Sequence, residues 1–208
     1  MMQGHPAKSS RRVRLTPEAR RAQIVAAAGR VALELGYLPA PLDRLSQEAN
    51  ASKALIYAYF PTQHELFNAL LAHHFRLLFD AGLETASNEP SLLDAAQRCG
   101  EIYFDHIVKY GPIIHLILRD QFMMAHVDAA NRGFRDRVVL RLARNARRVL
   151  GLAAKENVAA INLVTTIPEQ AALLVRRGEM ELPRARELMM ELIASSLDAF
   201  DPKSGKAR

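Results

Sequence analysis

The densest run of contact chemistry in the chain is Ser52 to Tyr59, Ser-Lys-Ala-Leu-Ile-Tyr-Ala-Tyr. Read as a helix, it places Ile56 and the following Phe60, four apart, on one inward face. The other face carries Lys53, Ala54, Leu55, Tyr57, Ala58 and Tyr59. One cation, two phenols and three small or apolar groups suit close contact better than they suit water. Against duplex DNA, Lys53 can donate to guanine O6/N7 or to a phosphate, Ala54 and Leu55 can meet thymine methyls, and Tyr57 and Tyr59 can donate to phosphate oxygens. The alternative for Tyr57 is a core aromatic, but Ile56 and Phe60 already fill the inward face.

The elements that must position this face are short. Leu42, Leu45 and Ala49 fall at i, i+3 and i+7, one side of a preceding helix. Asn50-Ala51-Ser52 breaks the pattern: Asn tolerates a left-handed backbone, and Ser52 can cap the next helix. Pro61 ends that helix, because the residue before proline avoids the helical region. Two short helices joined by a three-residue turn make a helix-turn-helix, whose second helix enters the major groove. Ahead of it, Thr16 caps a predicted helix over 17–35 with Pro17 in its first turn and Gly36 at its end. Its stripe of Ile24, Ala27, Ala28, Val31, Ala32 and Leu35 would back the motif.

The run Ser52 to Pro61, followed by Glu65-Leu66, resembles the DNA-binding signature of the tetracycline-repressor (TetR) family, Ser-Lys-Gly-Thr-Leu-Tyr-Tyr-His-Phe-Pro with Glu-Leu after it. Gly36-Tyr37 matches the family's end of helix 1. The resemblance covers about residues 16–66; beyond Leu66 only length and helical pattern agree. It implies a homodimer on a near-palindromic double-stranded operator, with a small ligand bound in a second helical domain. Three positions depart from the pattern. Pro41 stands where the family commonly has a phosphate-anchoring Thr or Ser, Gln63 where it commonly has Lys, and Ala58 in place of an aromatic. Phosphate affinity is then expected from Arg44 and an arm carrying Arg11, Arg12 and Arg14, with the free N–H groups of the second helix and Gln63 contributing. The arm's alternative is a disordered tail that aids solubility.

Charge follows the same division. The net charge is +6, and residues 1–62 hold nine Lys/Arg against four Asp/Glu, an excess of five concentrated around the motif. Strand signals are nearly absent and Ala, Leu, Arg and Glu dominate, so the 208-residue chain is expected to be all-α, with about nine helices. Three divisions are expected: a basic arm at 1–15, the helix-turn-helix domain at 16–62, and a ligand-binding and dimerisation domain at 63–208.

Helices are predicted over about 63–83, 91–109, 112–124, 131–150, 157–177 with a kink at Pro168, and 183–200. The run of large side chains from the fourth to the seventh helix reads either as ordinary core or as an apolar pocket with a few polar groups. Its expected lining is His74, Leu78, Tyr103, Phe104, Ile107, Tyr110, His115, Leu118, Phe122 and Met123, Met being adaptable. Seven arginines on 131–150 read as a solvated face, with an anionic ligand or acidic partner as the lesser alternative. The last two helices are short of intrachain partners and imply a dimer seam of Ile161, Val164, Ala171, Leu188, Met189, Leu192, Ile193, Ser196 and Phe200.

Other chemistry is excluded. There is no Gly-rich phosphate loop, Gly-x-Ser-x-Gly or His-Glu-x-x-His, so no catalytic residues and no cofactor are expected. His73 and His74 are adjacent and point to different faces, so no metal site is expected; His106, His115 and His126 would converge only through folding. Cys99 alone permits no intrachain disulfide, the N-terminus has no apolar core, and no apolar run is read as a membrane span. A cytoplasmic regulator, most simply a repressor released by a largely apolar ligand, is the leading expectation. A helical small-molecule-binding or interaction protein that has lost specific DNA binding is the alternative.

Overall fold

The computed structural model describes residues 15–200, so the expected arm residues Arg11, Arg12 and Arg14 lie outside the described residues. Twelve helical segments and no strand occur among the described residues: α1 (Pro17–Leu35), α2 (Leu42–Glu48), α3 (Lys53–Tyr59), α4 (Gln63–Asp80), α5 (Leu83–Ala86), α6 (Leu92–Tyr110), α7 (Ile113–Arg119), α8 (Gln121–Met124), α9 (Ala129–Leu150), α10 (Ala154–Val164), α11 (Thr166–Arg176) and α12 (Leu182–Phe200).

Nine expected helices become twelve for local reasons. The predicted helix 63–83 ends at Asp80, because Gly82 takes φ 89°, and a single turn, α5, follows. The predicted helix 112–124 breaks at Asp120, whose extended backbone ends α7 while its side chain caps α8. The predicted helix 157–177 breaks at Thr165, three residues before Pro168. Proline cannot donate to the carbonyl four residues back, so the ladder fails in the turn ahead of it.

α1, α2 and α3 enclose Ile24, Ala28, Val31, Leu45, Ile56 and Phe60 against the first turns of α4, where Leu66, Phe67 and Leu70 are fully buried. The second half is built on α6, against which α4, α5, α9, α11 and α12 all pack. α11 and α12 therefore do have intrachain partners, contrary to expectation. The run Ala154–Arg176 reaches a mean hydropathy of 1.5 and is, by length and composition alone, apolar enough to cross a membrane, which corrects the expectation that no run is. The run is apolar because one of its sides meets the core (Ala160, Ile161, Val164 and Ala172 are buried) while the other keeps Leu163 exposed. It also carries a buried Glu169 and the break before Pro168.

Candidate nucleic-acid interface and its link to an internal cavity

The helix-turn-helix forms as its end residues require. Thr16 accepts from Ala19 N, Gly36 closes α1 at φ 74°, Asn50 turns the chain at φ 44°, and Ser52 accepts from Leu55 N at 3.1 Å. Such a cap is worth about 1 kcal/mol to a helix of two turns. With Ile56 and Phe60 buried, α3 turns Lys53, Ala54, Tyr57 and Ala58 outward. Tyr57 is 47% exposed and is not a core aromatic. Leu55 and Tyr59, expected at the contact face, are half-buried against the core and offer only part of their surface.

Three of the five Lys/Arg in residues 15–62 are already paired with carboxylates. Lys53 Nζ lies 2.6 Å from Asp43 Oδ1, and Arg44 holds both carboxylate oxygens of Glu34 at 2.8 and 2.7 Å. Arg30 pairs with Glu48, and Arg21 stacks over Phe60 at 4.8 Å. The described part of the motif, residues 15–62, holds five Lys/Arg against four Asp/Glu, an excess of one; most of the excess seen in 1–62 comes from residues 1–14. Gln63 is also committed. Its Oε1 accepts from Ala40 N at 3.0 Å and its Nε2 donates to Ala40 O at 2.9 Å, so the expected phosphate contact is replaced by a clamp on the loop before α2. Pro41 opens α2 with no side-chain cap.

Sequence reasoning missed the joint between the two halves. His64 on α4 stacks between Phe122 and His126, with ring centroids at 4.1 and 3.8 Å, and its Nε2 lies 3.2 Å from Phe122 O. Asn68, one turn on, donates to His126 O and accepts from Asp128 N, and the buried Asn131 donates to Asn68 O. Asp120 joins the other side: Oδ1 accepts from Phe122 N at 2.8 Å and Oδ2 from Leu38 N at 3.0 Å. Only Thr62-x-x-Glu65, a capping pattern realised at the start of α4, was readable in advance here.

A cavity of about 450 Å³ opens in the second half. Of the expected lining, Leu78, Tyr103, His115 and Leu118 border it. Phe104, Ile107 and Met123 do not; they are fully buried elsewhere in the core. Phe122 belongs to the joint. His74 and Tyr110 belong to a separate buried group in which His74 Nδ1 lies 3.0 Å from His106 Nε2. Burial, then the neighbouring imidazole, depresses His74 to about 3; burial, with His73 and Lys109, depresses His106 to about 4. The missed wall is Phe134, Val138, Val139 and Leu142 on α9, with Ile161, Thr165, Thr166 and Glu169 around the α10–α11 break. Glu169 is buried and sits 2.6–2.7 Å from His115 Nδ1, the cavity's one close acid–imidazole pair among the described residues. Burial and the nearby Glu169 push the Tyr103 hydroxyl well up, so it is held as a neutral donor.

Histidine gives no metal geometry: His106 meets His74, His115 meets Glu169 and His126 meets His64, and no group of three or more His, Cys, Asp or Glu converges among the described residues. The α9 arginines are not simply solvated. Arg141 Nη1 lies 2.7 Å from Glu84 Oε1 on α5, an ion pair without hydrogen-bond alignment, and Arg148 donates to Pro90 O. The expected dimer seam divides. Ile161, Val164, Met189 and Ile193 are buried in the chain's own core. Leu192, 45% exposed, and the half-buried Ala171, Leu188, Ser196 and Phe200 remain outward, beside Leu163 at 61%.

Residues 24–70 match the profile of the bacterial regulatory proteins of the tetR family. The HTH-type transcriptional activator FasR of Mycolicibacterium smegmatis is 31% identical over 122 residues, 57% of this chain and 54% of FasR, so the match spans about half that relative's length. A TetR-like transcriptional regulator from Rhodococcus sp. RHA1 superposes with a TM-score of 0.67 at 22% identity, covering 88% of this chain and 98% of that one. The TetR-like regulator LfrR of Mycobacterium smegmatis, solved with proflavine, gives 0.55 at 20% identity over 86% and 96%. A helix-turn-helix built by these caps matches the tetR-family profile over residues 24–70, and the twelve-segment helical frame that carries it has the fold of solved TetR-like regulators.

Proposed function

We propose that the protein is a homodimeric DNA-binding transcription regulator whose affinity for its operator is set by a small, largely apolar ligand in the cavity. The observation that supports this best is the outward face of α3: Lys53, Ala54, Tyr57 and Ala58 stand clear of a helix pinned by Ile56 and Phe60, as groove entry requires. The mostly aliphatic and aromatic lining, with His115, Glu169 and Tyr103 as its polar groups, supports a ligand with an apolar body and one hydrogen-bonding end. LfrR, a TetR-like regulator on this fold, was solved in complex with proflavine, which supports a small-molecule ligand here. The outward strip of α10–α12 supports the dimer, with α3 of each subunit reading half of a near-palindromic operator in the cytoplasm. A shift of α4, which reaches from the cavity wall at Phe75 and Leu78 to Thr62, would change the spacing of the two recognition helices.

The first test is binding of the full-length protein to DNA upstream of its own gene against scrambled DNA across a salt titration. Specific binding with a steep salt slope is expected. Equal weak binding to both would favour the second reading, a small-molecule-binding protein without sequence-specific DNA contact, for which the paired cations and the committed Gln63 speak. Repression is the simpler sense of regulation, whereas FasR is named an activator; a reporter behind the same DNA, read with and without the protein, decides between them. Leu192→Arg should yield monomers in sedimentation, and an unchanged dimer would reject this seam.

A further inference from the structure

We propose that Asp120 transmits the state of the cavity to the recognition domain through the loop between α1 and α2, a route additional to the shift of α4; this rests on the regulator reading above. α7 supplies Ile114, His115, Leu118 and Arg119 to the cavity wall and ends at Asp120. The Asp120 carboxylate does two things at once. One oxygen caps α8 through Phe122 N, and the other accepts from Leu38 N, 82 positions earlier in the chain. Leu38 is itself buried, and Ala40, two residues on, is held at both its N–H and its carbonyl by Gln63. α2 begins at Leu42, directly after this pinned stretch.

The stretch 38–41 therefore has no slack. A carboxylate accepting from a backbone N–H is a strong, directional bond whose geometry fails within a few tenths of an ångström. Any displacement of α7 by a cavity occupant carries Asp120 with it, and the start of α2 must follow or the bond must open. Either response alters the frame on which α3 is held, in addition to whatever α4 itself does. Asp120 is a positioning residue: it touches neither cavity nor DNA face.

The experiment uses the full-length protein without DNA or ligand, read by hydrogen–deuterium exchange. Asp120→Ser keeps a short oxygen to cap α8 but cannot reach Leu38. Val139→Trp fills the cavity from α9 without touching the joint. Asp120→Ser should accelerate exchange across residues 38–45 by about three- to tenfold while α8 stays protected. Val139→Trp should alter exchange across 38–45 by about twofold or more, and that change should fall to less than about half in the Asp120→Ser background. No response to Val139→Trp at 38–45, or an equal response in both backgrounds, overturns the route. Should Asp120→Ser not fold, Asp120→Asn, which keeps a single acceptor, is read in the same way. Because neither DNA nor ligand is added, failure here is distinguishable from failure of the regulator reading, which the operator titration tests.

Discussion

The two ends of this molecule are packed to different standards. Around α1–α3 the interior is closed: Ile24, Ala28, Val31, Leu45, Ile56 and Phe60 are all within 2% of full burial, Thr16 and Ser52 cap the starts of α1 and α3, and Gly36 closes α1 in the left-handed region. Between α6, α9 and α11 the interior is left unfilled, and the helical run there breaks at Thr165. A close-packed body has one arrangement and reports position faithfully; a body with a void has near-equivalent arrangements and can respond. On the proposed reading, the difference separates a part that holds a shape from a part that changes one.

This contrast can be broken most directly by truncation. Ile24→Ala should cost about 2–5 kcal/mol in urea unfolding, whereas Val139→Ala, at the wall of an existing void, should cost less than about 1 kcal/mol. Equal losses would mean the cavity wall is as tightly packed as the recognition domain. Next in size, His115→Ala should cost about 1.5–3 kcal/mol by leaving the Glu169 carboxylate buried without its partner. Adding Glu169→Leu should recover most of that loss, and failure to recover would show that His115 matters by shape alone.

Acid sharpens the comparison further. His74 and His106 are held neutral in the fold, at about 3 and about 4, while the unfolded chain takes up protons near 6.5. The unfolded state therefore binds more protons below that point. Stability should be full above pH 6.5 and fall as pH drops from there toward 3, seen as a declining melting temperature. Exchange of residues 92–110 should rise before that of 17–35, and simultaneous loss would erase the distinction between the two halves. The smallest effects belong to the DNA face. Tyr57→Ala should leave stability within about 0.5 kcal/mol while weakening operator binding roughly tenfold. Asp43→Asn should strengthen binding by about two- to fivefold at low salt by freeing Lys53, and an unchanged affinity would mean the pair opens at no cost.

What could be read in advance was local. Thr16, Gly36, Asn50, Ser52 and Pro61 act on backbone groups within a few residues, so their types and spacing carry the structure of the motif. Gln63 shows the limit. Its amide is recruited by Ala40, 23 positions away, and nothing in the linear run distinguishes that bond from a phosphate contact. Lys53 is likewise diverted to Asp43 across the turn. In the second half the stripe of α6 is plain, but which of its large residues meet solid core and which meet a void depends on the neighbours. Phe104 and Ile107 face the former and Tyr103 the latter. The wall on α9 carries no polar marker, since Val138, Val139 and Leu142 are ordinary core residues by type. Met189 and Ile193 look identical to Leu188 and Leu192 in periodicity, and only the presence of α6 beneath them turns the first pair inward.

The paired cations of the recognition domain have a consequence for life inside a crowded genome. Attraction to arbitrary duplex grows with the number of condensed counterions a protein releases, and every stretch of chromosome competes for it on those terms. Arg30, Arg44 and Lys53 arrive with their charge already answered by Glu48, Glu34 and Asp43. On the proposed reading, these three cations add to the attraction for arbitrary duplex only after those contacts open, so they reward a groove that repays the opening.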